Sequence, residues 1–146
     1  MIYLDASVLF SLHFRDSNTA EALHLIASAT DPLVVSPLCE METINALALR
    51  VFRNEISGLN MDNALRDLES DLRSGILRAM PLPEAAFNRA KALSRKITPS
   101  IGVRSADLLH IAAALELGAN LLYTFDRKQH AAAQAAGLPV NPLPVS

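Results

Sequence analysis

Short apolar runs alternating with helical stretches predict an α/β domain built on a parallel sheet with helices on both faces. Three observations carry this. Ile2-Tyr3-Leu4, Leu33-Val34-Val35 and Leu121-Leu122-Tyr123 are uninterrupted apolar runs, the pattern of strands buried on both faces. Each is followed by a segment with helical apolar spacing. The chain of 146 residues fits one domain, 1–146, with no linker, internal repeat or low-complexity tract.

Taken in order, Ile2–Leu4 forms the first strand, and Asp5 falls where it ends. Ala6–Leu12 turns directly into a helix. Ala20–Ala29 is a second helix, broken by Thr30-Asp31-Pro32 because proline disfavours helix in the residue before it. After the strand Leu33–Val35, Ser36 as N-cap and Pro37 in the first turn open a helix reaching about Arg53. Ser57-Gly58 ends this region, and Met61–Leu72 is amphipathic, with Ala64, Leu65, Leu68 and Leu72 on one side. Gly75 releases the chain into a third strand within Ile76–Met80. Pro81–Pro83 turns it, Glu84–Lys96 is helical, and Ile97–Val103, holding Pro99 and Gly102, is expected to be a loop. Ser105–Leu117 is a long apolar helix capped at its N-terminus by Ser105 and stopped by Gly118. Leu121–Tyr123, a helix over Asp126–Ala136 and an edge strand over Leu138–Val140 complete the chain.

Composition sets the class. Apolar residues make up 51% and charged residues 19%, with mean hydropathy +0.24, which is globular and not disordered. A net charge of -2 brings no broad attraction for nucleic acid, although a local basic rim or bound metal ions can outweigh it. Cys39 is alone, so no intrachain disulfide forms, and it reads as a small core residue. No leader-like N-terminus and no apolar run of membrane-spanning length is present, so a soluble, cytoplasmic protein is expected.

The chemistry lies in four acids. In open parallel sheets the ligand crevice lies beyond the carboxyl ends of the strands, where Asp5 and Asp126 fall. Asp5 is also a good helix cap, and Asp126 a common turn residue. Glu40 and Glu42 point roughly 200° apart on a helix, so only one of them can face a given site. Glu42 shares a face with Asn45 beside Leu38, Met41 and Ala48, so it is placed at the apolar, inward side, with Glu40 solvated. Asp107 stands in the first turn of the apolar helix, where an acid also suits the helix dipole, and His110 one turn on reads as a hydrogen-bonded packing residue. Each acid alone is unremarkable, but a parallel sheet brings these positions to one edge. Converged carboxylates repel unless a cation joins them, and an all-oxygen set suits Mg²⁺ or Mn²⁺ and not Zn²⁺. Two such ions can activate water and stabilise the leaving oxygen of an in-line displacement. Arg104, Arg127 and Lys128 flank the acids and are candidate phosphate ligands, or else solvated surface charges.

LDASVL around Asp5, SPLCEMETINAL around Glu42, and RSADLLHIAAALELGANLLYTFD with Asp107 and Asp126 together resemble the PIN-domain ribonucleases, and among them the VapC-like toxins of toxin–antitoxin pairs. The resemblance covers nearly the whole chain. It implies a three-layer α/β/α fold with a central parallel sheet of four or five strands. It also implies Mg²⁺- or Mn²⁺-dependent endonucleolytic cleavage of RNA, leaving a 5′-phosphate and a 3′-hydroxyl. Asp5, Glu42, Asp107 and Asp126 match the family's acidic positions, and Ser7 and Thr124 match polar positions that hold metal-bound water or substrate. Where the family sometimes carries a further acid this chain has Arg127 and Lys128, which weakens the case for a second metal held without substrate. An antitoxin partner and a homodimer are implied as well. A second reading is a catalytically silent RNA-binding or protein-interaction module on the same fold. A third, an aspartyl-phosphate protein, is disfavoured because Ser7 stands where such phosphatases carry a second aspartate.

Overall fold

The first apolar run feeds the sheet at its centre. The computed structural model describes residues 1–145. Their strands are β1 (Ile2–Leu4), β2 (Leu33–Val35), β3 (Leu77–Ala79) and β4 (Leu121–Tyr123), all parallel and ordered β3-β2-β1-β4. Register is fixed by pairs such as Tyr3 with Val34 and Tyr3 with Leu122. The chain builds outward from β1 through β2 to β3, then returns to β1's other side as β4. Strand order therefore reverses between β1 and β4, and a crevice opens there at the strands' carboxyl ends.

The helices are α1 (Ala6–His13), α2 (Thr19–Ser28), α3 (Pro37–Phe52), α4 (Gly58–Ser74), α5 (Ala85–Ile101), α6 (Ser105–Glu116) and α7 (Arg127–Ala135). α1 to α4 pack among themselves, as do α5, α6 and α7, which gives the three layers. α6 is the most deeply buried helix, with Leu108, Ile111 and Ala112 to Ala114 inside the core. Its alanines let the neighbouring backbone approach closely. A smaller cluster of Phe10, Leu47 and Ala64 joins α1, α3 and α4 below one end of the crevice. Among the described residues no helix is long and apolar enough to cross a membrane.

Several boundaries differ from expectation. α5 does not stop at Lys96 but runs through Pro99 to Ile101. The prolyl nitrogen forfeits one hydrogen bond near the helix end, while the extra turn buries Ile97 against the core. Gly102 then ends it in the left-handed region, φ 68°, its N–H reaching the Thr98 carbonyl. Ser57-Gly58 starts a helix instead of ending one. Ser57 Oγ accepts from Asn60 N–H at 3.0 Å and Asn60 Oδ1 accepts from Ser57 N–H at 3.0 Å, a capping box sited ahead of the expected start at Met61. Arg104, not Ser105, is the N-cap of α6. The edge strand expected at Leu138–Val140 shrinks to one bridge between Val140 and Leu122, so the sheet has four strands.

Candidate active site

Asp5 ends β1 and caps α1, and both roles bury it; only 3% of its surface stays accessible. Its Oδ1 accepts from Val8 N–H at 3.1 Å and Ser7 Oγ–H at 2.6 Å, and its Oδ2 accepts from Thr124 Oγ–H at 2.6 Å. Ser7 Oγ in turn accepts from Phe125 N–H at 2.9 Å, and Thr124 Oγ1 from Asp126 N–H at 3.0 Å. These bonds stitch the ends of β1 and β4 together. Burial pushes the Asp5 carboxyl above the usual range, opposed by the nearby His110 and by the bonds from Ser7, Thr124 and Val8. Ser7 and Thr124, expected to hold water or substrate, here direct their hydroxyl protons at Asp5.

Asp107 sits in the first turn of α6 and is also buried. Burial raises its carboxyl, a hydrogen bond and ion pair from Arg104 lower it, and neighbouring Asp126 raises it again; the net direction is up. Asp126 caps α7 with Oδ1 on Gln129 N–H at 2.8 Å. Arg104 reaches both acids, Nε to Asp107 Oδ2 at 3.2 Å and Nη2 to Asp126 Oδ2 at 3.9 Å. The cationic role given to Arg104 thus falls on the acids themselves.

Glu42 comes from α3, whose inward face is Cys39, Thr43 and Leu47. Met41 is 60% exposed, so the inward face proposed for Glu42 from Leu38, Met41 and Ala48 is displaced. Glu42 borders the crevice instead, and Glu40 stays outside it. Its Oε2 pairs at 2.8 Å with His110 Nε2, which must carry a proton because a carboxylate can only accept. His110 is fully buried; Nδ1 meets Tyr3 Oη at 3.0 Å, and Tyr3 Oη meets Ser36 Oγ at 2.7 Å. Burial alone would lower the His110 pKa, but hydrogen bonds to Cys39 and Glu42 outweigh it and push it up to about 10. The packing role read for His110 holds, and one end of it grips an acid of the cleft.

Asp5, Glu42, Asp107 and Asp126 all line one open cleft of about 650 Å³ at the β1/β4 crevice. Arg127 and Lys128 do not: both side chains start α7 pointing to solvent, away from this lining. Two cations that sequence reasoning missed, Arg50 and Arg53, do line it. The available signal was spacing on α3, since Glu42, Asn45, Leu49 and Arg53 recur at helical intervals. Asp16, also missed, lies in the loop after α1 and accepts from Ser11 Oγ–H at 2.8 Å.

Among the described residues no three acid, histidine or cysteine side chains are already gathered as a metal cage. The donor chemistry nevertheless fits a hard divalent cation: four carboxylates share one cleft, and the two most buried have pKa values raised by desolvation.

A parallel α/β/α domain with acids gathered at its topological switch point defines a class of site suited to cation-assisted phosphate chemistry. The PIN domain family matches residues 2–135, and the chain belongs to that family. Among solved structures it is similar to a sarcin–ricin-loop-cleaving VapC20 toxin of Mycobacterium tuberculosis, at 18% identity, covering 94% of this chain and 96% of that one with a TM-score of 0.71. It is also similar to FitAcB of Neisseria gonorrhoeae, at 19% identity and 96% of both chains, TM-score 0.66. VapBC2 of Rickettsia felis, bound to a promoter DNA fragment, matches at 16% identity over 97% of this chain and 98% of that one, TM-score 0.66. No curated protein matches it in sequence. At these identities the solved structures speak for the fold.

Proposed function

We propose that the chain is a metal-dependent endoribonuclease acting as the toxin of a toxin–antitoxin pair. The observation that carries this is the convergence of Asp5, Glu42, Asp107 and Asp126, from four separate elements, on one cleft at the switch point. Asp5 and Asp107, the most buried, would hold Mg²⁺ or Mn²⁺, with Asp126 and Glu42 lining the same cleft. Bound there, such a cation would supply Lewis acidity for hydrolysis of an RNA phosphodiester to a 5′-phosphate and a 3′-hydroxyl. The chain's own groups orient these parts. Ser7 and Thr124 fix the Asp5 carboxylate by a hydrogen bond to each oxygen. His110 fixes Glu42, and Arg104, mostly exposed at the edge of the acids, is the cation nearest the phosphate's place. Membership of the PIN family supports the nuclease reading, and the fold shared with a sarcin–ricin-loop-cleaving toxin supports the toxin. An antitoxin partner follows from that reading, supported by the fold shared with a toxin–antitoxin complex from Klebsiella pneumoniae.

The test is cleavage of a structured RNA pool with Mg²⁺, with Mn²⁺ and with EDTA, with Asp5→Asn alongside. Cuts that need metal and vanish in the variant are expected. Cutting by the variant, or cutting in EDTA, overturns the proposal, and folded protein that never cuts points to the silent binding module.

A further inference from the structure

The cleft has two chemically different ends. One holds Asp5, Glu42, Asp107 and Asp126 and the other holds Phe10, Leu49, Arg50 and Arg53, with Asp16 from the loop after α1 also in the lining. The Arg50 guanidinium lies over the Phe10 ring, 4.9 Å from its centroid, and 5.5 Å from that of Phe14. The two rings are themselves 5.4 Å apart and tilted, so they back the cation from two directions. Arg50 keeps 37% of its side chain open, and its ion pair to Glu55 is loose at 3.6 Å. Arg53, one turn on, is exposed on the cleft wall. At 1.5 Å per residue along α3, Arg50 and Arg53 lie roughly 12 and 16 Å beyond Glu42, the reach of a few nucleotides of single strand.

We infer that this end of the cleft is a nucleotide subsite for single-stranded RNA, lying a few nucleotides from the bond cut at the acids, with Arg50 as a base-stacking platform and Arg53 as a phosphate ligand. The inference rests on the ribonuclease reading and deepens it. RNA bases stack on guanidinium planes as well as on aromatic rings, and a guanidinium already backed by two rings loses little freedom on stacking. Phe10 is buried beneath Arg50, whereas the arginine side chain stays partly open to the cleft. Asn45, exposed on the wall between the two ends, is placed to meet a base edge. A net charge of -2 is no obstacle, because two arginines, Arg50 and Arg53, line the cleft where the strand leaves the acids.

The experiment uses 5′-labelled oligoribonucleotides from a dinucleotide to an octanucleotide. Cleavage by the wild type is compared with Arg50→Ala, Arg50→Lys and Arg53→Ala, and binding is read by anisotropy in an Asp5→Asn background. The expected penalty in KM and Kd grows with length and reaches roughly tenfold or more on the octanucleotide, while kcat changes little. Arg53→Ala also lowers the salt slope of binding by about 0.7, the contribution of one phosphate contact on a single strand. Arg50→Lys, which keeps the charge but not the plane, does not restore affinity. Arg53 is exposed, so its variant folds even if Arg50→Ala disturbs the Phe10–Phe14 pair. Penalties that do not grow with length, or full rescue by lysine, overturn the subsite and leave the arginines to a protein partner. Failure of the wild type to cut any length overturns the ribonuclease reading instead.

Discussion

Arg104→Gln is expected to tighten Mn²⁺ binding to the free protein while weakening cleavage. The guanidinium is 3.2 Å from Asp107 and 3.9 Å from Asp126, two of the carboxylates a metal requires, so cation and arginine compete for the same oxygens. Its side chain is 78% exposed, so the contacts are screened and belong in the surface range of about 0.2–1 kcal/mol each. The Asp107 contact, on a carboxylate only 10% exposed, stands near the top of that range, and the longer Asp126 contact near the bottom. Together they amount to about 1 kcal/mol, so removing them lowers the Mn²⁺ Kd roughly fivefold. Loss of Arg104 also lets the raised Asp107 carboxyl hold its proton more tightly, so the titration is run at mildly alkaline pH where proton competition is small. Isothermal titration of Mn²⁺ into both proteins, without RNA and at low salt, reads the effect. Steady-state cleavage should show the opposite change, because the phosphate loses its partner. An unchanged or weaker Mn²⁺ affinity in the variant would refute the competition and remove Arg104 from the metal's neighbourhood.

Asp107→Asn should melt above the wild type in EDTA at neutral pH, yet lose metal response and cleavage. Its folded pKa is raised, so the native state binds the proton more tightly than the unfolded chain. The contribution of Asp107 to metal-free stability is therefore full below pH 3.8 and is lost as pH rises through the folded pKa, a loss the neutral amide escapes. A lower melting point in EDTA would contradict this. Mn²⁺ at a hundredfold excess over Kd should add about 2.7 kcal/mol, a rise of roughly 5–11 °C in melting temperature for a chain of this size; an unmoved transition argues against a metal site. His110, raised from 6.5 to about 10, stabilises the fold fully below pH 6.5 and loses that contribution as pH climbs through about 10. Glu42 Oε2, 2.8 Å from His110 Nε2, is the carboxylate whose charged hydrogen bond is lost as the imidazolium gives up its proton. Urea unfolding across that window should show the decline in the wild type and a flatter profile in His110→Ala; equal slopes would sink it.

The sequence by itself determined what depends on near neighbours. The apolar runs at Ile2, Leu33 and Leu121 are strands because uninterrupted apolar chain of that length is stable only when buried on both faces. Asp5 and Asp126 were legible because a strand that turns straight into a helix needs a cap, and an acid supplies it. Asp107 could be read in the same way, as an acid in the first turn of an apolar helix. Their assembly into one site also followed once the sheet was taken as parallel, since such a sheet sends its strand ends to one edge. What only the tertiary structure decided depends on how helices are turned and what they pack against. Pro99 breaks a helix in isolation, yet α5 carries it because Ile97 gains more from the core than one hydrogen bond costs. Ser57 punctuates the chain either way, and only its partner Asn60 shows that it opens α4. Arg127 and Lys128 stand next to an acid in the chain but are turned outward by α7, whereas Arg50 and Arg53, distant in sequence from three of the four acids, are carried into the cleft by the rotation of α3. Adjacency along the chain sets caps and strands, but the phase of a helix is set by the face it buries, and that phase decides which charges meet.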